Sequence, residues 1–132
     1  CNCGQQGCLE AYVSGKGLSA AYLSLGGQAG IQGPDIFQRA EQGEMLALQS
    51  IDEMLDMLAI GLVSILNTLA PDLIALGGGI AEQGEEKILF PVREKVKKYM
   101  GLPFKHTEVI QLAKLGADAG LIGAALLAMQ SS

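Results

Sequence analysis

From Glu44 to Leu69 the chain carries an apolar period that only a long helix satisfies. Leu48, Ile51, Leu55, Leu58, Leu62, Ile65 and Leu69 recur at alternating spacings of three and four, which places all seven on one stripe. A helix over 44–69 spans roughly 39 Å at about 1.5 Å per residue, enough to be the spine of a domain. Asp52, Glu53 and Asp56 give its N-terminal half a wet side. Beyond Met57 it is apolar nearly all round, which predicts a C-terminal half buried on every side. At 132 residues, 49% hydrophobic and 17% charged, the chain reads as one globular domain around such a spine. Only 5% is aromatic and Trp is absent, so the core must be aliphatic.

The flanking segments supply the other layers. Leu9 to Val13 forms a helical turn, and Leu18 to Leu25 a helix that Gly26-Gly27 ends. Pro34 opens a short helix to about Glu41, and Gly43 breaks it. Pro71-Asp72 turns the chain into Leu73–Leu76, a continuous apolar run that fits a buried parallel strand. Gly77-Gly78-Gly79 follows at once, giving a strand and glycine loop over 73–79. A helical stretch then begins near Ala81 or Glu85, with Pro91 dividing it and a second helix running from Pro91 to Tyr99. Gly101 and Pro103 stop that helix. Glu108 to Ala113 reads as a second strand, and Asp118 caps a final helix over 118–130. Helices alternating with short apolar strands indicate an α/β fold.

The chemistry is concentrated at the start. All three cysteines, Cys1, Cys3 and Cys8, fall within the first eight residues, with Gly4 and Gly7 between the second and third. The glycines let the backbone turn tightly and bring the sulfurs together, so the stretch 1–10 reads as a zinc loop. Three thiolates are one ligand short of a tetrahedral site. His106, the one histidine, is remote from the loop and reads more simply as a surface residue before a strand. The plainer alternative is three reduced cysteines acting as small hydrophobes. Glu10 follows the last thiol by two residues. Gly77, Gly78 and Gly79, between a strand and a helix, can bring backbone amides up to a phosphate, although glycine runs also serve as turns. Ser14-Gly15-Lys16-Gly17 reads first as a helix cap.

Composition removes several classes. A net charge of −5 argues against a nucleic-acid surface, since phosphate binding needs clustered Lys and Arg. Lys95, Lys97 and Lys98 form the one basic cluster, which a helix end explains. The longest apolar run, Met57 to Leu66 with Ser64 inside it, is too short to span a bilayer, so no membrane partner is expected. No signal peptide is visible, and grouped unpaired cysteines suit a reducing compartment; the expectation is a cytoplasmic protein. The chain begins in mid-motif without an initiator Met, so it is expected to be a fragment or a processed product.

Cys1-x-Cys3-Gly4-x-x-Gly7-Cys8-x-Glu10, with Ser14-Gly15-x-Gly17 after it, resembles the signature of the ROK family of sugar kinases and sugar-responsive repressors. The resemblance continues through Pro71-Asp72-Leu-Ile-Ala-Leu-Gly77-Gly78-Gly79, similar to the family's second phosphate-side motif. It ends with Gly116-Ala117-Asp118-Ala119-Gly120-Leu-Ile-Gly123-Ala124-Ala125, similar to its C-terminal helix. The resemblance implies an actin-like ATPase (ribonuclease H-like) fold, of which this chain is the larger C-terminal lobe only. It implies an ATP-dependent hexose kinase assisted by Mg2+, acting on glucose or a related, perhaps N-acetylated, hexose, with structural zinc on Cys1, Cys3 and Cys8. It implies that Glu10 binds sugar hydroxyls, that Gly77, Gly78 and Gly79 bind nucleotide, and that the full protein is a homo-oligomer. Asp118 would lie near the cleft between lobes.

The family's Asp-x-Gly-x-Thr phosphate motif, its catalytic Asp after Asn and its upstream histidine ligand are absent from the chain. No catalytic residue is therefore assigned, and the chain alone is expected to lack kinase activity. The last helix should pack on the other lobe and, alone, should drive self-association through Leu121, Ile122, Leu126, Leu127 and Met129. Two other readings stand beside the kinase lobe: the sugar-sensing half of a ROK transcriptional repressor, and a stand-alone zinc-binding interaction module. The glycine triplet argues against both, and a helix-turn-helix upstream would favour the repressor.

Overall fold

The computed structural model describes residues 1, 3–100 and 107–130. Helices α1 (Gly15–Ser24), α2 (Gly33–Glu41) and α4 (Phe90–Met100) all pack on the long α3 (Met45–Leu69). Strands β1 (Ile74–Leu76) and β2 (Ile110–Leu112) pair in parallel, Ile74 opposite Ile110 and Leu76 opposite Leu112. A parallel pair needs a crossover, and the segment containing α4 provides it. Helix α5 (Ala119–Gln130) closes the described chain. Among the described residues, no helix is long and apolar enough to cross a membrane.

One core joins these elements; it is mostly aliphatic, but Tyr22 and Phe37 are part of it, against the expectation of a purely aliphatic core. Leu18 and Tyr22 of α1, Ile36 and Phe37 of α2, Met54, Leu58 and Leu62 of α3, Val92 and Val96 of α4, and Ile110 of β2 are all buried. Polar ties fix the helix ends. The Tyr22 hydroxyl donates to Glu44, and Arg39 Nη1 donates to the same hydroxyl at 3.1 Å and pairs with Glu44 Oε2 at 3.3 Å. This joins α1, α2 and the start of α3. Lys95 Nζ on α4 meets Asp52 Oδ1 at 2.7 Å and Asp56 Oδ1 at 2.8 Å on α3, and the Tyr99 hydroxyl donates to Asp56 at 2.9 Å.

The structure corrects the expected surface of α3. Leu55, Leu58 and Leu62 are buried, but Leu48, Ile65 and Leu69 are exposed, while Ala47, Ser50, Met54, Ala59 and Leu66 join the buried face. A strict seven-residue repeat drifts by about 20° per heptad on a straight helix, so Leu48 and Leu69 stand about 60° apart. Nor is the C-terminal half buried on every side: Ile60 is 44% exposed and Leu69 71%. These two positions lie on opposite faces of the helix, and among the described residues neither is covered.

Three other expectations change. Pro91 does not divide the helical stretch, because a π-turn, Glu85–Leu89, runs straight into α4. A widened turn accommodates the missing N–H and the ring of proline without a break. Asp118 is not a free-standing cap; it lies within a 3-10 turn, Gly116–Asp118, that leads directly into α5. Both strands are shorter than expected. Leu73 is exposed outside β1, and residues Thr107–Val109 form a 3-10 turn before β2. Ile74 and Leu76 are half-buried and Ala75 exposed, so β1 is not the fully buried strand its apolar run predicts. Gly101, Pro103 and His106 lie outside the described residues.

Candidate functional site

The cysteine loop folds back on itself at two left-handed glycines, Gly4 at φ +77° and Gly7 at φ +76°, a conformation glycine adopts without a Cβ penalty. The Gly4 N–H donates to the Cys1 carbonyl at 3.1 Å, closing the first turn. The result gathers the thiols: Cys1 Sγ lies 2.8 Å from Cys3 Sγ, and Cys3 Sγ 3.4 Å from Cys8 Sγ. All three sulfurs lie within 4.8 Å of one another. Sulfurs around a tetrahedral zinc at about 2.3 Å stand about 3.8 Å apart, so the set fits zinc with small adjustments of side-chain torsion. A hydrogen bond from the Gln5 backbone, then one from the Cys8 thiol, holds the Cys3 thiol below its ordinary pKa. That favours the thiolate a metal requires.

Leu9–Ala11 follows as one 3-10 turn, with the Ala11 N–H donating to the Cys8 carbonyl at 2.9 Å. Leu9 seats this turn on α3 at Gly61, where an added Cβ would come 2.9 Å from Leu9 Cδ2. Glu10 is thereby fixed on the exposed side of the turn. It opens into a cleft of about 480 Å³ walled by Cys1, Ala11, the start of α1 (Ser14–Gly17) and Gln32. The Ser14 hydroxyl accepts from the Gly17 N–H at 3.1 Å and so caps α1 as expected. Gly17 admits no side chain: a Cβ there would meet the Ala11 and Tyr12 carbonyl oxygens at 2.6 Å.

Gly77, Gly78 and Gly79 leave the C-terminal end of β1, with Gly78 at φ +88°. They line a second cleft, about 330 Å³, whose other wall is Val13, Ser14, Gly15, Gly33, Pro34 and Phe37. Gly77 and Gly78 also face a smaller hollow of about 220 Å³ beside Leu112, Ala113 and Gly116, at the C-terminal ends of both strands. In open parallel sheets, this is the end at which ligands bind. Helix α5 begins just past it.

The Glu10 cleft and the glycine cleft share Ser14 and Gly15. They are neighbours along a single wall. Glu10, the cysteines and the glycine triplet stand out in the sequence, whereas Ser14–Gly15 reads there as a cap and Gln32, Gly33, Pro34 and Phe37, taken singly, carry no sign of a site. One signal was present in the chain: Gly33 and Gly15 each open a helix, and a Cβ on Gly33 would lie 3.4 Å from the Gly15 Cα. Nothing in the linear spacing reveals that contact. None of the aspartates is poised over either cleft as a base. Asp52 and Asp56 are engaged by Lys95, and Asp35 accepts from the Gln32 N–H at 3.4 Å.

The model of the ROK family matches residues 1–131. The N-acetyl-D-glucosamine kinases of Salmonella typhi and Salmonella newport (strain SL254) are each 35% identical over 127 residues, covering 96% of this chain and 41% of theirs. A ROK family glucokinase from Streptomyces griseus, solved with glucose and AMPPNP, superposes with a TM-score of 0.78 at 33% identity, covering 98% of this chain and 47% of that one. A ROK hexokinase from Thermus thermophilus gives a TM-score of 0.79 at 29% identity, over 100% of this chain and 44% of that one. The chain thus spans less than half the length of these relatives.

Proposed function

Because the chain belongs to the ROK family and takes the larger, C-terminal lobe of its actin-like ATPase fold, we propose that it is that lobe of an ATP-dependent hexose kinase. The sugar is glucose or N-acetylglucosamine, the substrates in the names of its relatives. The observation that carries this reading is the shared wall at Ser14–Gly15 between the Glu10 cleft and the glycine-triplet cleft. Phosphoryl transfer needs an acceptor hydroxyl and a γ-phosphate held in near-attack contact, and most of its catalysis is positioning. Two adjoining clefts, one with a carboxylate and one lined by glycine backbone, suit that task.

In this reading, Glu10 accepts hydrogen bonds from two neighbouring sugar hydroxyls, as a carboxylate's two oxygens allow. The backbone of Gly77, Gly78 and Gly79 lies against the nucleotide, where the lack of side chains permits close approach. Mg2+ would enter with ATP. Cys1, Cys3 and Cys8 would hold zinc, which when bound supplies structural cross-linking of the loop that carries Glu10. Among the described residues no aspartate or histidine lines either cleft, so in this reading the base that takes the proton from the attacking hydroxyl belongs to the other lobe and the chain alone does not turn over.

The test is a titration of the isotopically labelled chain followed by backbone amide NMR. Glucose or N-acetylglucosamine should shift Glu10 to Gly17 and Gln32, and a non-hydrolysable ATP analogue should shift Gly77 to Gln83. Sugar binding with no nucleotide response would favour the repressor's sensing half. Response to neither ligand would count against both.

A further inference from the structure

Cys3 and Cys8 are placed for a reaction with each other as well as for binding metal. Their sulfurs lie 3.4 Å apart, Cys3 is exposed and Cys8 is half-buried at the start of the following turn. The four residues between them include both left-handed glycines, which turn the loop so that the two sulfurs meet. We propose that Cys3 and Cys8 form an oxidation-sensitive pair, which a hydroperoxide converts to a disulfide that excludes the metal.

The pairing follows from chain geometry. Cys1 Sγ is nearer to Cys3, at 2.8 Å, but only one residue separates those two cysteines. A ring closed across a single residue strains the disulfide torsion away from about 90° against planar trans peptides, which makes that link the less stable of the two. Closing Cys3 to Cys8 encloses four residues, two of them glycines with the freedom to adjust. Within this pair Cys3 is the more exposed thiol, so it meets the oxidant first, and Cys8 resolves the product.

Two steps balance the reaction. The Cys3 thiolate attacks one peroxide oxygen, the O–O bond breaks, and Cys3 becomes a sulfenic acid while the other oxygen leaves as hydroxide or alkoxide and takes up a proton. The Cys8 thiolate then attacks the Cys3 sulfur; the S–O bond breaks, hydroxide leaves and is protonated to water, and the S–S bond forms. The two thiols are oxidised by two electrons and the peroxide is reduced by two. Sulfurs joined in this way are no longer thiolate ligands, leaving Cys1 alone. The inference does not depend on the kinase reading.

The experiment uses the metal-free chain and hydrogen peroxide at one equivalent. The free thiol count should fall from three to one, and peptide mapping should join Cys3 to Cys8. Uptake of zinc, followed by competition with a chromogenic chelator, should be lost and return after treatment with a dithiol. In Cys8→Ser, Cys3 should instead accumulate as a sulfenic acid that dimedone traps, while Cys1→Ser should still form the disulfide. A Cys1–Cys3 link, three surviving thiols, or undiminished zinc uptake after the disulfide has formed would each overturn the proposal.

Discussion

At the scale of single residues, two positions carry distinct and separable consequences. Glu10 sits on an exposed turn whose anchor is Leu9, not Glu10 itself, so its replacement should leave the fold intact. If the intact protein is the proposed hexose kinase with Glu10 on the sugar, Glu10→Gln is expected to lower its kcat/KM for the hexose about 100-fold, as loss of charge-assisted hydrogen bonds implies. Far-ultraviolet circular dichroism and the KM for ATP should stay unchanged. Gly17 is the opposite case. Its missing side chain lets α1 press against the Ala11 and Tyr12 carbonyls, and a methyl at 2.6 Å from both must push backbone aside. Gly17→Ala should therefore destabilise the chain by about 1–3 kcal/mol despite alanine's better helix propensity, measured as a lower urea midpoint.

At the scale of elements, the contact of α3 with α4 rests partly on the Lys95–Asp56–Tyr99 cluster. Partial burial works to raise the Asp56 carboxyl, but hydrogen bonds from Lys95 and Tyr99 outweigh it and hold its pKa below the ordinary value. For Lys95, burial works downward and the bonds to Asp52 and Asp56 outweigh it, so its pKa is raised. The signs are opposite. The Asp56 contribution is present above the ordinary carboxylate range near 3.9 and disappears as pH falls through the depressed folded value. The Lys95 contribution is present below about 10.4 and disappears as pH rises through the raised value. Asp56→Asn should cost about 1–2 kcal/mol at pH 7, and that difference from the parent should shrink as pH falls through the depressed folded value of Asp56, read from denaturation curves across pH. How far these elements are legible in the chain depends on what sets them. Helix α3 announces itself through its period, and Gly26 and Gly43 mark the ends of α1 and α2 with left-handed turns. The bounds of β2 do not appear locally, because Arg93 of α4 donates from Nε to the Ile110 carbonyl at 3.0 Å and helps position that strand from a distance. The continuity through Pro91 is equally hidden, since it depends on a π-turn with no sequence signature.

At the scale of the whole molecule, the apolar surface points to what the chain needs beside it. Helix α5 has no buried residue, with Leu121 73% and Met129 75% exposed, and the C-terminal half of α3 and one face of β1 are open as well. Exposed apolar side chains in this number are normally part of an interface. We propose that this surface meets the other lobe of the intact protein, and that the intact protein assembles as a homo-oligomer. In the chain alone it should cause self-association at micromolar concentration, seen by sedimentation velocity, and Leu121→Lys with Leu126→Lys should shift the chain toward monomer. A monodisperse parent monomer would contradict this. The candidate site was legible residue by residue, in the cysteines, Glu10 and the glycine triplet; their arrangement was not. Only the fold brings residues 14–15 of one helix start against residues 32–34 of another and so makes one wall of two clefts. The central claim is that this wall serves phosphoryl transfer to a sugar. The most direct measurement is the formation of ADP and hexose phosphate by the intact protein given ATP, Mg2+ and either glucose or N-acetylglucosamine, with this chain alone assayed beside it. The account predicts turnover of at least one sugar by the intact protein and none by the chain alone; sugar binding without ATP consumption by the intact protein, or turnover by the chain alone, would contradict it.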